Sequence, residues 1–363
     1  MGTVGTQSGV LGDVYHSAVK SLEAWVAKIN AEGGINCHKV KHLVGDDGAD
    51  PARHQALVRR FVEEEKVIAF VLNNAPVTGA ASEEYLKQKQ VPVIGQEGGQ
   101  FFFYDSPVHF PVAASGEMLQ RLTVAAGARI AVPLGKTKAA LVTCQEVEYC
   151  NRADTVYPDQ AKKSGLSVVY TVKATLTQPD YTAQCLGARN AGADVMMAVF
   201  DGNGLTRLTA SCAKIGYHPI LVIVSNTSTS DHLKDPNMEG TVVSSPKRPW
   251  FLADHKGVAE FQAAVKQYAP GLPIEASGID GWEPGKAFEH IARRIAPNEV
   301  PTSKAILDSA NSLNGDDIDG LVFPLTFHAG QPHKQVACGW AVVTGKGKFT
   351  TDGQMFCVPG YEL

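Results

Sequence analysis

The stretch Val67-Ile-Ala-Phe-Val-Leu72 consists of apolar residues only, and a helical segment near 77–89 and a second apolar run, Val91-Pro-Val-Ile-Gly95, follow it. An unbroken apolar run of this length is typical of a strand that is buried on both faces of a parallel sheet. Successive parallel strands need a crossover between them, and the crossover is usually a helix. The stretch therefore predicts a β-α-β unit.

The same alternation recurs through the first two thirds of the chain. Strands are predicted at 139–143, 168–172, 194–200 and 220–224, with helices at 153–164, 181–191 and 203–216 between them. Nearer the N-terminus, a helix through 14–29 ends at Gly33-Gly34, a strand begins near His42, and a helix covers 52–65. The pattern predicts an α/β protein with two parallel sheets.

After residue 250 the alternation stops. Helices are predicted at 254–269, 278–295 and 302–313, and a hairpin-like C-terminus follows them. A chain that completes a second sheet and then supplies three helices is expected to return to an earlier domain. The sequence has no low-complexity linker at the boundaries, so short ordered crossings are expected to join the domains.

Composition excludes several classes of function. The 363 residues include 33 Lys and Arg against 37 Asp and Glu, which gives a net charge of −4 with neutral histidines. This balance does not provide the basic surface of a nucleic-acid-binding protein or of a polybasic membrane patch. No apolar run reaches the roughly 20 residues that a membrane-spanning helix needs. The sequence predicts an ordinary globular protein.

Seven cysteines bear on the compartment. Their spacing predicts three disulfide bonds with Cys37 left over: Cys338 with Cys357 across the hairpin, Cys185 with Cys212 on successive helices, and Cys144 with Cys150 around a short loop. Three such bonds fit an oxidising compartment. The alternative is seven reduced thiols, most of them buried, because spacing does not fix connectivity.

The first residues have no charged segment followed by an apolar one. The sequence is therefore expected to be either a cytoplasmic protein or a mature form from which a signal peptide has been removed.

The common catalytic motifs are absent. Gly202-Asn-Gly204-Leu-Thr-Arg207 follows a strand but lacks the third glycine of a dinucleotide-binding turn, and it is interpreted as a loop that leads into a helix. Two S-x-x-K tetrads, Ser17–Lys20 and Ser211–Lys214, lie in amphipathic helices and have no K-T-G partner downstream. The histidines are dispersed, and four of them are predicted at the surface: His16, His38, His42 and His54. The sequence predicts no catalytic residue, no cofactor and no metal site.

Three motifs of the N-terminal third, in contrast, form a recognisable set. They are Gly5-Thr-Gln-Ser-Gly9, Ile29-Asn-Ala-Glu-Gly-Gly-Ile-Asn36 and Asp46-Asp47 with Asp50-Pro51. This set resembles the type I periplasmic solute-binding proteins, in the leucine/isoleucine/valine-binding (branched-chain amino acid) family of ABC transporters. Ser245-Pro-Lys-Arg248 and Gly278-Ile-Asp-Gly-Trp-Glu283 are similar to later parts of that family, so the resemblance covers nearly the whole chain.

The resemblance implies a fold of two doubly wound parallel-sheet lobes, joined by three crossings near 113–120, 245–250 and 322–328. Lobe one is expected to comprise 1–117 plus 250–325, and lobe two 118–249 plus 326–363. The family binds its ligand in a cleft between the lobes.

Ligands of such folds bind outside the carboxyl ends of the strands. The resemblance therefore implies that the ligand contacts residues directly after the strands. The candidates in lobe one are Tyr15, Asn73, Asn74, Ala75, Gln96, Glu97 and Gly98, joined by Trp282 from a late helix, and those in lobe two are Tyr149, Phe200, Asp201, Asn226 and Thr227.

Two departures from the family pattern bear on the ligand. Amino-acid-binding members hold the carboxylate with a hydroxyl residue and the ammonium with an acid; here Asn74 stands at the first position, and Asn226-Thr227 replaces the acid. An ammonium without a partner costs on the order of several kcal/mol in a closed site. The sequence therefore favours a neutral or weakly charged ligand over an α-amino acid.

Aromatic and acidic residues suggest the shape of that ligand. An apolar or aromatic body is expected to pack against Tyr15, Tyr149, Phe200 and Trp282. Glu97, Glu146 and Asp201 would accept hydrogen bonds from hydroxyl, amide or amine groups.

The resemblance implies the extracytoplasmic, periplasmic or lipid-anchored solute-binding component of an ABC importer. Such a protein is a monomer that closes about a hinge on a small-molecule ligand and is recognised by a membrane permease; it binds no nucleic acid. The alternatives are a branched-chain amino acid binding protein and a ligand-binding sensor of the same fold. An enzyme is disfavoured because the sequence does not indicate a set of titratable residues that could form an active site.

Overall fold

The computed structural model describes residues 1–9, 12–96 and 101–362. The chain forms two compact units, which we call unit 1 (Met1–Ser115 and Leu252–Lys334) and unit 2 (Gly116–Phe251 and Gln335–Leu363). The chain passes from one unit to the other three times. The resemblance implies lobe boundaries at 117, 249 and 325, whereas the units end at 115, 251 and 334. The implied lobe boundaries stay predictions.

Unit 1 begins with a five-stranded parallel sheet. Its elements are β1 (Gly2–Gly5), α1 (Gly12–Ala31), β2 (Leu43–Asp46), α2 (Pro51–Glu63), β3 (Phe70–Asn73), α3 (Ala80–Lys89), β4 (Val93–Gln96) and β5 (His109–Phe110). The strand order is β2-β1-β3-β4-β5, and every neighbouring pair is parallel. Since β1 lies inside the sheet while β2 and β3 flank it, the strand order reverses at β1, as in doubly wound folds.

Unit 2 contains a larger mixed sheet. The middle of the chain supplies α4 (Gly116–Ala131), β6 (Lys138–Thr143), α5 (Glu148–Lys163), β7 (Ser167–Lys173), α6 (Thr182–Asn190), β8 (Val195–Val199), α7 (Gly202–Lys214), β9 (Ile220–Val224) and β10 (Val242–Ser245). Strands β10-β9-β8-β6-β7 are parallel neighbours in that order.

The last third of the chain returns first to unit 1 and then to unit 2. Unit 1 gains α8 (Lys256–Tyr268), α9 (Ala276–Ala292), α10 (Ser303–Ala310), β11 (Asn314–Asp316) and β12 (Leu325–Thr326); unit 2 gains β13 (Cys338–Gly345), β14 (Lys348–Thr351) and β15 (Phe356–Cys357). Strand β13 is antiparallel to both β10 and β14, so the C-terminal hairpin extends the sheet of unit 2.

The predicted α/β class with two doubly wound sheets is confirmed, and its boundaries shift for local reasons. Strand β3 begins at Phe70, three residues after the predicted start at 67. Helix α4 was not predicted, because it is buried almost all round and so lacks one apolar face. Strand β10 was missed because it is short and ends in Ser244-Ser245.

Helix α9 packs closely on α1 through two glycines. A Cβ atom at Gly281 would lie 1.8 Å from the Ala18 carbonyl oxygen, and one at Gly285 would lie 2.7 Å from the Trp25 ring. Only glycine permits so close an approach. Because the later residue of α9 meets the later residue of α1, the two helices run in the same direction.

The structure contains all three predicted disulfide bonds: Cys144–Cys150, Cys185–Cys212 and Cys338–Cys357. The first joins the end of β6 to the first turn of α5, the second joins α6 to α7, and the third joins β13 to β15. Cys37 is exposed and free. In the described part of the chain, no helix is both long enough and apolar enough to cross a membrane.

Candidate functional site

In unit 1 the loops after β1 and β3 touch each other. The Thr6 amide donates to the Asn74 carbonyl at 2.9 Å. A Cβ atom at Gly5 would lie 2.3 Å from the same carbonyl oxygen, so only glycine fits there. Asn74 is 6 % exposed, and Ala75 beside it is buried. The structure thus brings the predicted Asn74-Ala75 pair against the loop after the first strand.

The backbone just before Asn73 is strained. Leu72 has φ of 60°, a left-handed conformation that is rare for a bulky side chain. The following side chain turns back onto the sheet, where the Asn73 Oδ1 atom accepts the Val4 amide at 3.0 Å. Strain of this kind persists only where the surroundings enforce it, and it is concentrated at functional sites. Asn73 therefore supports the loop as well as being a predicted ligand contact.

A fully buried carboxylate connects the loops that follow β1, β2 and β3. Asp47 accepts the Thr6 hydroxyl at 2.8 Å, the Thr78 hydroxyl at 2.6 Å and the Ala49 amide at 2.9 Å. The fourth contact joins Asp47 Oδ2 to His54 Nδ1 at 2.9 Å. An ionised carboxylate only accepts hydrogen bonds, so Nδ1 of His54 carries the proton. We call these four side chains, Thr6, Asp47, His54 and Thr78, the Asp47 cluster.

The hydrogen bonds of the Asp47 cluster favour the ionised carboxylate. Burial raises the pKa of the Asp47 carboxyl, but the hydrogen bonds from His54, Thr78, the Ala49 amide and Thr6 outweigh burial, so the pKa lies below its usual value. Asp47 and Thr78 are completely buried. The cluster is thus an internal support of the loops and does not contact solvent.

The prediction that His54 lies at the surface was wrong. His54 is 1 % exposed. It precedes Val58 by four residues and Phe61 by seven, so it lies on the buried face of α2. Sequence reasoning missed the Asp47 cluster, although this spacing was a signal for it.

The other predicted residues of unit 1 lie on or near α1, α9 and β4. Tyr15 lies in the second turn of α1, and Trp282 follows the glycine that meets Ala18, so both lie towards the N-terminal ends of neighbouring helices. Trp282 is completely buried, and its ring centroid lies 5.9 Å from that of Phe261. Gln96 ends β4. Glu97 and Gly98 lie outside the described residues.

In unit 2 the predicted Tyr149 lies in the first turn of α5, beside the end of β8. Its carbonyl oxygen accepts the Gln120 side-chain amide at 2.6 Å. The Cys144 amide, at the start of the same loop, donates to the Val199 carbonyl at 3.1 Å. Glu146, an acceptor expected for the ligand, instead accepts the Leu176 amide at 2.8 Å, so it helps to hold the loop.

Phe200 and Asp201 follow β8 directly. Phe200 packs edge-on against Tyr181, with ring centroids 5.2 Å apart. Asp201 is the N-cap of α7, and its Oδ2 atom accepts the Gly204 amide at 3.3 Å. Burial raises the pKa of the Asp201 carboxyl above its usual value, and the amide of Gly204 only partly offsets this.

The loop after β9 lies against the loop after β8. Asn226 and Thr227 form a short 3-10 helix over Ser225–Thr227, and the Thr227 hydroxyl donates to the Val224 carbonyl at 3.0 Å. A Cβ atom at Gly202 would lie 3.2 Å from the Thr227 carbonyl oxygen. The structure therefore brings the predicted Asp201 and Asn226-Thr227 segments together.

Four side-chain oxygens at this edge of unit 2 have no hydrogen-bond partner within the described chain: Thr143 Oγ1, Asp201 Oδ1, Asn226 Oδ1 and Ser228 Oγ. They follow or end the neighbouring strands β6, β8 and β9. Buried polar atoms are nearly always hydrogen-bonded, so these oxygens are candidate acceptors for hydrogen-bond donors of a ligand. Sequence reasoning missed Thr143 and Ser228, because a hydroxyl at a strand end is too common to be a signal.

A separate cavity of about 250 Å³ lies at the opposite ends of the strands of unit 1. Leu43, Val67 and Phe288 are among its lining residues, and none of the predicted ligand contacts is. In α/β folds, ligands bind at the carboxyl ends of the strands, so we do not assign the site to this cavity.

Comparison with known proteins decides the family. A sequence model of the family described as periplasmic binding protein matches residues 1–351. The chain belongs to the periplasmic binding protein family. No curated protein sequence matches this periplasmic binding protein.

Solved structures agree with the fold of this periplasmic binding protein. A branched-chain amino acid ABC transporter protein from Thermus thermophilus with bound valine has a TM-score of 0.85 and 16 % identity, and the match covers 99 % of this chain and 96 % of that one. A fatty acid ABC transporter substrate-binding protein from Thermomonospora curvata has a TM-score of 0.82 and 16 % identity, with coverage of 99 % and 92 %.

A solute-binding protein of an ABC transporter from R. palustris, in complex with benzoate, has a TM-score of 0.80 and 15 % identity, with coverage of 99 % and 98 %. At these identities the likenesses show the type I fold. The ligand of this periplasmic binding protein has to be argued from its own residues.

Proposed function

We propose that this periplasmic binding protein is the extracytoplasmic solute-binding component of an ABC importer, and that it binds a small, largely apolar or aromatic molecule by hinge closure without catalysing a reaction. The observation that carries the proposal is the placement of aromatic and hydrogen-bonding side chains at the carboxyl ends of the strands in both units. This is the edge where α/β folds bind small molecules.

Unit 2 supports the proposed ligand chemistry. Tyr149, on the loop after β6, is half-buried and offers aromatic surface, whereas Phe200 after β8 is buried and packs on Tyr181 behind that edge. Asp201 and Asn226 add oxygens that accept hydrogen bonds. A ligand with an apolar body and an N–H or O–H group matches both features, because it would satisfy the buried oxygens.

The comparison proteins support the apolar body. Their titles name valine, benzoate and fatty acid as what is bound or transported. These compounds differ in size, but each has an apolar portion. We propose the same for this protein's ligand, with the loaded protein delivering it to a membrane permease.

The three disulfide bonds support a location outside the cytoplasm, since such bonds persist in oxidising compartments.

Asp201 favours a second candidate, an α-amino acid. The position after β9, where amino-acid-binding members carry an acid, holds Asn226 here. The loop after β8, however, offers a carboxylate with one unpartnered oxygen, and the two loops touch. Asp201 would then be the acidic partner of the ligand's ammonium group, in place of the acid that is missing after β9.

A thermal-unfolding screen of the purified protein tests these proposals. The panel comprises branched-chain and aromatic amino acids, benzoate and other aromatic acids, short amides and hydroxylated apolar compounds. A ligand at a hundredfold excess over its Kd stabilises the folded protein by about 2.7 kcal/mol, which raises Tm by several degrees. A shift with the non-amino-acids alone supports the first candidate, and a shift with the amino acids supports the second. The absence of any shift across the panel contradicts the proposed ligand class.

A further inference from the structure

The Cys144–Cys150 disulfide bond closes the turn that carries Tyr149. Strand β6 ends at Thr143 and helix α5 begins at Glu148, so the bond links the two elements across a short connection. Both sulfur-bearing residues are 2 % exposed. Tyr149 immediately precedes Cys150, so the covalent link fixes the backbone beside its ring.

Hydrogen bonds anchor the same turn from three directions. Gln120 of α4 donates to the Tyr149 carbonyl at 2.6 Å. Glu146 accepts the Leu176 amide at 2.8 Å, from the segment after β7. The Cys144 amide bonds to Val199 at the end of β8 at 3.1 Å. These three bonds join the turn to α4, to the segment after β7 and to the end of β8.

The start of α5 lacks the usual side-chain cap. Val147 occupies the N-cap position and provides no side-chain hydrogen bond to the first turn. A Ser, Thr, Asp or Asn at this position typically stabilises a helix by about 1 kcal/mol. Without such a cap the first turn would fray readily, and that turn contains Tyr149. The Cys144–Cys150 bond therefore restrains the first turn of α5 in place of the missing side-chain cap.

The other two disulfide bonds have a different setting. Cys185–Cys212 joins α6 to α7, and Cys338–Cys357 joins two antiparallel strands. Cys185–Cys212 encloses Phe200 and Asp201 in the sequence, but neither residue is adjacent to its cysteines, whereas Tyr149 adjoins Cys150. Cys338–Cys357 encloses no predicted ligand contact. Cys185–Cys212 therefore provides a matched control within the same unit.

We propose that the Cys144–Cys150 bond is a positioning element, which holds Tyr149 ready for the ligand before the ligand binds. This inference rests on the proposed solute-binding function. A side chain that is already ordered loses less conformational entropy on binding, so the bond strengthens affinity without touching the ligand. Its loss would loosen the turn while leaving the strands of unit 2 intact.

Hydrogen–deuterium exchange on the unliganded protein tests the positioning directly. In Cys144→Ser/Cys150→Ser, we expect the amides of 145–151 to exchange at least tenfold faster, with β6 and β8 still protected. In Cys185→Ser/Cys212→Ser, exchange over 145–151 is expected to stay as in the wild type. Unchanged exchange of this turn in the first variant would overturn the proposal, as would an equal increase in the control.

A rescue separates positioning from general stability. Adding Val147→Asp to Cys144→Ser/Cys150→Ser supplies a side-chain cap and is expected to restore part of the protection. Failure of the added cap to restore any protection would count against the proposal. If the serine variant does not fold, the wild type treated with tris(carboxyethyl)phosphine gives the same comparison, with mass spectrometry to identify the reduced bonds.

Titration with valine and with benzoate tests the consequence for binding. For whichever probe binds the wild type, we expect Kd to rise about tenfold in the Cys144→Ser/Cys150→Ser variant, the loss expected from one or two ordered side chains, and to change less than twofold in the control. Equal affinities in all three proteins would overturn the proposal. If neither probe binds the wild type, the titration uses a compound that stabilises the protein in the thermal-unfolding screen. If no compound of that panel binds, the proposed ligand class fails, while the exchange experiment still decides whether the bond positions the turn.

Discussion

Units 1 and 2 stabilise the loops at the carboxyl ends of their strands in different ways. In unit 1, one buried carboxylate accepts hydrogen bonds from three side chains, Thr6, His54 and Thr78. In unit 2, the loop after β6 is closed by the Cys144–Cys150 bond. The first device joins three loops at a single charge, whereas the second constrains a single turn.

This difference predicts what each unit is sensitive to. Removal of the charge at Asp47 leaves several buried donors without an acceptor, so damage spreads over the whole edge of the unit 1 sheet. Reduction of Cys144–Cys150 loosens one turn and leaves the strands of unit 2 intact. Acid should therefore act on the unit 1 loops and a reductant on the unit 2 loop.

The largest expected effect comes from Asp47→Ala. The substitution leaves the hydroxyls of Thr6 and Thr78 and the His54 ring without their acceptor, and we expect a loss of about 3 to 5 kcal/mol in the free energy of unfolding. Urea denaturation measures the loss. Asp254→Ala, which removes an exposed carboxylate, should stay within about 0.5 kcal/mol of the wild type. Equal stability of the two variants would show that the Asp47 cluster does not support unit 1.

The next effect sharpens the comparison within unit 2. In the chain-entropy model, the stabilisation by a disulfide bond grows with the loop that it closes. The sequence separations are 6 residues for Cys144–Cys150 and 27 for Cys185–Cys212. Removing the longer bond should therefore cost about 1 kcal/mol more stability than removing the shorter one. Urea denaturation of Cys144→Ser/Cys150→Ser and of Cys185→Ser/Cys212→Ser tests this order. A larger loss in the first variant would show that the short bond stabilises more of unit 2 than the turn that it closes.

Asp201→Asn should separate stability from binding. The asparagine side chain keeps an oxygen that can accept the Gly204 amide. The substitution also removes a buried carboxylate, and burial raises the pKa of that carboxyl. We expect the unliganded variant to be at least as stable as the wild type at pH 7. A ligand that donates to Asp201 should bind about tenfold or more weakly, as expected for loss of a hydrogen bond to a charged group. Calorimetry and thermal unfolding measure both quantities, and unchanged affinity for a ligand with an amine would remove Asp201 from the site.

The smallest effect is a pH dependence in unit 1. The folded-state pKa of Asp47 is lowered from 3.8, so its contribution to stability is full above that pH and is lost as the pH falls through the folded-state value. At pH 6 the free energy of unfolding of the wild type should exceed that of Asp47→Asn by about 1 kcal/mol. This difference should shrink below pH 3.8. Denaturant midpoints of both proteins across this pH range measure it. A constant difference would mean that the Asp47 charge does not contribute.

The core strands were predictable because burial on both faces leaves a local signature. Strand β9 was predicted at its observed bounds, 220–224, from its apolar residues alone. The cysteine spacing likewise predicted the three bonds, since each pair lies on adjacent predicted elements. Helix α4 escaped prediction for the opposite reason, because a helix buried almost all round has no polar face to mark its period.

The supports of the site were not predictable to the same degree. The Asp47 cluster draws its members from four positions between 6 and 78, and no pattern within one segment shows that they meet. The role of Asn73 depends on the left-handed backbone of Leu72, which propensity does not indicate. Residues that follow strands can thus be proposed from sequence, whereas hydrogen bonds between loops require the fold.

Titration calorimetry of the purified protein and two variants tests the central claim most directly. The proposal predicts saturable one-site binding of a small molecule with an apolar body and an N–H or O–H group, weakened in Asp201→Asn and in Tyr149→Ala. The thermal-unfolding screen supplies the compound. No saturable binding by any compound of the panel, or binding that both substitutions leave unchanged, would contradict the proposal that this edge of unit 2 binds the ligand.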